Sequence, residues 1–91
     1  MAYYTLKVCA NRGAFEAIPS APERLDLGRV RQSLESNGVS VLDCRVMLIA
    51  RLERELTIGQ DGRLLIKTTD GAEAERILRR FEGMVAAGGL P

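Results

Sequence analysis

Leu56–Phe81, LTIGQDGRLLIKTTDGAEAERILRRF, reads as strand, tight turn, strand and capped helix. Leu56 and Ile58 set one apolar face, Gly59-Gln60-Asp61-Gly62 supplies the turn chemistry, and Leu64 and Ile66 continue the same face on the return strand. Asp70 with Glu73 three residues on forms a capping box for the helix that follows. Ala74, Ile77, Leu78 and Phe81 recur at helical spacing, with Glu75, Arg76, Arg79 and Arg80 on the outer side.

Upstream, Tyr3–Ala10 alternates with a period of two. Tyr4, Leu6, Val8 and Ala10 are expected toward the core and Tyr3, Thr5, Lys7 and Cys9 away from it. The pattern breaks from Asn11 to Arg24, around Gly13, Pro19 and Pro22, which predicts a long connection holding at most a short helical turn or serving a function of its own. Asp26 offers an N-cap, Leu27, Val30 and Leu34 mark an apolar stripe, and Asn37-Gly38 ends a first helix over Leu27–Asn37. In Val39–Leu52, the residues Cys44, Val46, Leu48, Ala50 and Leu52 form one apolar face. This predicts one long strand, or two with a break near Arg51–Arg54.

The resulting order, β-α-β-β-β-α, is that of an α+β domain with a four-stranded antiparallel sheet, both helices on one face and the other face open. Residues 1–85 are expected to form this single domain, with 86–91, AAGGLP, as a fraying tail. A ferredoxin-like fold needs another strand after the second helix, and too little chain remains for it. The Gly-Gly pair is not terminal, and the element order differs from that of a ubiquitin-like fold.

Over Leu27–Phe81 the chain resembles one repeat of the TATA-box-binding protein family. The likeness is carried by DGRLLIKTTDGAEAERILRRF, where Gly62 and Arg63 open a strand that ends at Thr68-Thr69 and runs directly into a helix. The resemblance implies a strand and helix followed by a meander and a long C-terminal helix, and a nearest likeness to small archaeal proteins with a single such repeat. It also implies nucleic acid as one expected partner, although the open face lacks the paired phenylalanines that the family wedges between base steps.

Composition narrows the chemistry. The 91 residues contain no His, which removes the commonest general base and metal ligand. Thirteen basic and 12 acidic side chains leave a net charge of +1, so there is no global attraction to nucleic acid or anionic lipid. Aromatic residues make up 4%, leaving few platforms on which bases could stack. No apolar run is long enough to span a membrane, and the N-terminus lacks a signal-peptide pattern. Two cysteines, Cys9 and Cys44, fit a reducing compartment, and a cytoplasmic location is expected. Asp61 and Asp70 are accounted for by turn and cap roles, and no metal-ligand spacing stands out. The expectation is a protein that is not an enzyme and uses no cofactor and no metal.

Function is therefore sought on the open face. Strand parity places Lys7 and Cys9 there, then Arg45, Met47, Ile49 and Arg51, Glu53, Glu55 and Thr57, and Arg63, Leu65, Lys67 and Thr69. Met47, Ile49 and Leu65 form an apolar centre with five cations and two acids around it, a composition suited to binding. The leading expectation is a small intracellular module that binds a protein partner or a second copy of itself, with no membrane role. The alternative is a nucleic-acid module contacting phosphates through Lys7, Arg45, Arg51, Arg63 and Lys67, and the bland reading is a solvated face with ordinary exposed hydrophobes. Cys44 is expected in the core. Cys9, near Lys7 and Arg45, offers a third reading as a redox or sulfur-handling thiol, against that of an inert one. Arg29, Arg31, Arg76, Arg79 and Arg80 could touch phosphates, but Glu73, Glu75 and Glu82 are spaced to pair with the last three.

Overall fold

A computed structural model describes residues 4–9, 13–19 and 24–87, with backbone alone for 4–9 and 86–87. The chain order is β1 (Tyr4–Cys9), β2 (Ala14–Pro19), α1 (Leu27–Ser36), β3 (Val41–Asp43), β4 (Met47–Leu52), β5 (Arg54–Gly59), β6 (Leu64–Ile66) and α2 (Gly71–Ala87). All neighbouring strands are antiparallel, in the spatial order β1-β2-β6-β5-β4-β3. The molecule is thus α+β with an open antiparallel sheet, as the sequence indicates, but the sheet has six strands where four were expected.

Both extra strands arise where hydropathy alone does not mark the strand boundaries. The Asn11–Arg24 stretch is not simply a loop: AFEAIP forms β2, which sits between β1 and β6. The Val39–Leu52 run reverses at Cys44–Val46, dividing it into β3 and β4. The Asp43 carboxylate accepts a hydrogen bond from the Arg45 N–H at 2.8 Å, and Arg45 takes φ +70°. This Asx-type arrangement closes the chain within three residues. The break expected near Arg51–Arg54 is also present, at Glu53 with φ +63° between β4 and β5.

The opening hairpin-helix reading holds in detail. Gly62, with φ +92°, completes the β5–β6 turn, where the Gly59 N–H donates to the Arg63 carbonyl at 2.8 Å. Asp70 caps α2 by accepting from the N–H groups of Ala72 and Glu73. The return half of the capping box is rerouted through Thr68: its hydroxyl accepts from the Asp70 N–H at 3.1 Å and donates to the Glu73 carboxylate at 2.6 Å. Asp26 caps α1 by accepting from the Arg29 N–H.

One hydrophobic core joins the even-numbered residues of β4, β5 and β6 to the stripes of both helices. Leu48, Leu56, Ile58, Leu64 and Ile66 meet Val30 and Leu34 of α1 and Ile77, Phe81 and Val85 of α2, all at 1% exposure or less. Each fully buried side chain of this size contributes about 1.5–3 kcal/mol of transfer free energy, so this layer holds both helices on one sheet face. Phe15, expected in a loop, lies on β2, half-buried against the core. Helix α2 runs on to Ala87, past the expected 85/86 boundary, and 88–91 lie outside the described residues. No helix among the described residues is long and apolar enough to cross a membrane.

Candidate functional site

The face opposite the helices is built by strand register. Leu42, Ile49, Thr57, Leu65 and Glu16 stand in one transverse row from β3 to β2, and β1 contributes Lys7 opposite Glu16. Neighbours in such a row are about 5 Å apart. Ile49, Thr57 and Leu65 are half-buried. A second row carries Arg51, Glu55 and Lys67, and Met47 lies in a third, near the β3–β4 reversal.

Most of the expected face residues are thereby brought together. Arg51, Met47, Ile49, Leu65 and Lys67 share the face, Arg63 enters it from the β5–β6 turn, and Arg45 stands exposed in the reversal. Lys7 and Cys9 occupy β1 opposite Glu16 and Ala14, and their side chains lie outside the described residues. The expected reactivity of Cys9 therefore also lies there.

Two assignments are corrected. Glu53 does not belong to the open face: its left-handed turn swings the carboxylate to the helix side, where Arg76 and Arg80 hold it at 3.1 and 3.3 Å. Arg80 thus meets Glu53 rather than Glu82, while Arg76–Glu73 and Arg79–Glu75 pair as their spacing indicates. Cys44 and Val46 are not in the core. The Cys44 N–H donates to the Met47 carbonyl, which places half-buried Cys44 beside Met47, and Val46 is 62% exposed at the tip of the reversal.

The charges divide into paired and unpaired groups. Lys67 meets Glu55 at 2.9 Å and Arg63 meets Asp61 at 3.8 Å, whereas Arg45 and Arg51 have no carboxylate within ion-pair distance among the described residues. On the helix side, hydrogen bonding from Arg76 holds Glu53 below the ordinary carboxylate range, and Arg80 adds to the effect. Glu73 is lowered chiefly by the Thr68 hydroxyl and then by Arg54, whose Nε lies 2.8 Å from it. These groups brace the β4–β5 turn against α2 and leave Arg76 and Arg80 engaged in fold contacts. No group of three potential metal ligands occurs among the described residues.

Strand parity does not place Leu42 on the open face and sets Val46 toward the core, since neither stands on the open side of an uninterrupted strand. At 61% and 62% exposure they join Met47, at 37%, as the exposed large hydrophobic side chains of the described residues. All three lie within six residues of one another, at the β3–β4 end of the sheet. Asp43, a turn-forming residue inside an otherwise apolar run, is the signal that could have revealed the reversal. Comparison with protein-family models, with curated proteins and with solved structures gave no match.

Proposed function

We propose that this protein is a small intracellular binding module that engages a protein partner, or a second copy of itself, through its open sheet face. The carrying observation is the gathering of Leu42, Val46 and Met47 at one end of that face, continuous with Ile49 and Leu65. Scattered exposed hydrophobes are ordinary on any surface, but a contiguous group rimmed by polar side chains is how interaction sites are composed. No catalytic step belongs to this reading.

A phosphate-binding mode is the second reading, favoured by the guanidinium groups of Arg45 and Arg51, which have no acidic partner among the described residues. Lys67 and Arg63 already have acidic neighbours, so the field they offer a phosphate is weaker. An architectural likeness to a TATA-binding-protein repeat belongs to the proposal, resting on the order of helix, meander and long helix. Phe15 and Phe81 both turn to the core, so aromatic wedging between bases is not part of the proposal.

A photo-crosslinking side chain placed at Leu42 or Met47, with Glu75 on the outer face of α2 as control, tests the reading in cells. Discrete adducts from 42 and 47 but not from 75 are expected. Equal yields at all three positions, or none at the face, would overturn it. An oligonucleotide adduct whose yield falls steeply with salt would select the phosphate mode.

A further inference from the structure

We infer that the partner is a second copy of this chain, joined antiparallel along β3 about a two-fold axis at Leu42. This deepens the self-association reading and rests on it, setting the contact at the β3 edge of the open face, where the exposed Leu42, Val46 and Met47 stand. β3 forms one edge of the sheet and bonds on one side alone, to β4. The Arg51 N–H donates to the Ser40 carbonyl and the Cys44 N–H to the Met47 carbonyl, so the even-numbered residues serve β4. By the alternation of an antiparallel ladder, Val41 and Asp43 direct their N–H and C=O groups outward. Ser40, Leu42 and Asp43 are exposed and Val41 is half-buried, so nothing in the described chain closes this edge.

The edge is self-complementary. With Leu42 set opposite Leu42 of the second copy, Val41 falls opposite the second copy's Asp43, and the reverse pair repeats it. Four N–H···O=C bonds then form from groups that otherwise face water. Leu42 becomes a non-hydrogen-bonded pair, the closer type of side-chain contact, which covers a leucine now 61% exposed. The row Leu65–Thr57–Ile49–Leu42 runs on through the axis into its own repeat, making one continuous band across both sheets.

The devices that usually protect an edge are mostly missing. β3 has no Lys and no Pro, and its one charge, Asp43, is held by Arg31 at 3.1 Å on the helix side. Its shortness is the one protective feature, and it limits the strength of the pairing. The exposed Val46 and Met47 extend the apolar surface beside it. A two-fold contact of this kind closes on itself, so the assembly stops at two copies.

Light scattering on the full chain from micromolar to millimolar concentration reads the mass. A dimer is expected, and Val41→Pro should abolish it, because it removes an outward-facing N–H that β4 does not use. Circular dichroism verifies that this variant still folds. Leu42→Lys, which sets two cations opposite each other, is the second variant and should also give a monomer. Leu42→Cys with Cys9→Ser and Cys44→Ser should form a covalent dimer on oxidation, since paired Cα atoms about 4.5 Å apart suit a disulfide. A monomer at all concentrations, or a dimer that both edge variants leave intact, would overturn the inference. A monomer whose face still crosslinks to a species of another mass would refute self-pairing while leaving the open-face reading standing.

Discussion

Thr68 illustrates how much single side chains decide here. It is buried, and its hydroxyl joins the Asp70 N–H to the Glu73 carboxylate at the mouth of α2. Thr68→Val keeps the shape and removes one hydrogen bond from each partner, so urea denaturation should show a loss of about 1–3 kcal/mol, whereas Thr68→Ser should retain most of the stability. Glu53 and Glu73 govern the response to acid. Both are held below their ordinary value of 4.5, so their contribution is complete above that pH and is lost as pH falls through the lowered folded values. Denaturation midpoints of the wild type should therefore drop as the pH falls below 4.5, and the Glu53→Gln, Glu73→Gln double variant should show a flatter acid limb. A wild-type midpoint indifferent to acid would refute the role given to the two carboxylates.

Among the elements, the α2 cap and the β3–β4 reversal are the sensitive points. Asp70→Ala should cost about 0.5–2 kcal/mol through the lost cap. Arg45→Gly should stabilise by on the order of 0.5–1 kcal/mol, since relief of a left-handed penalty of about 1–2 kcal/mol exceeds glycine's added chain entropy of about 0.4–1 kcal/mol. Thermal melts of the two variants should move in opposite directions. The hairpin and α2 were legible because periodicity, turn glycines and cap residues all agreed over Leu56–Phe81. β2 was not, because Gly13 and Pro19 bound a strand only six residues long, and short apolar runs beside proline read equally well as loop. The reversal at Cys44–Val46 was hidden because an apolar pattern of period two continues through it unbroken. Its position depends on the Asp43 side chain, not on hydropathy.

For the whole molecule, the two sheet faces should respond differently to substitution. Phe81→Ala empties the centre of the core and should cost about 3–5 kcal/mol. Met47→Glu changes a side chain already in contact with water, so it should stay within about 0.5 kcal/mol of wild type while removing crosslinking from the open face. That face was legible along β4 to β6, where parity placed Ile49, Thr57 and Leu65 together. Its most exposed part, at Leu42 and Val46, depends on a chain reversal and was not. Glu53 was misplaced for a related reason, since a left-handed turn residue obeys neither strand's parity.

The most direct test of the open face as the interaction surface is a set of amide spectra of the labelled chain, recorded over a dilution series and again with a mixed-sequence oligonucleotide at low salt. Shifts concentrated at Val41, Leu42, Asp43 and Met47 that follow protein concentration are the predicted result. Spectra unchanged throughout, or shifts confined to the outer faces of α1 and α2, would contradict it.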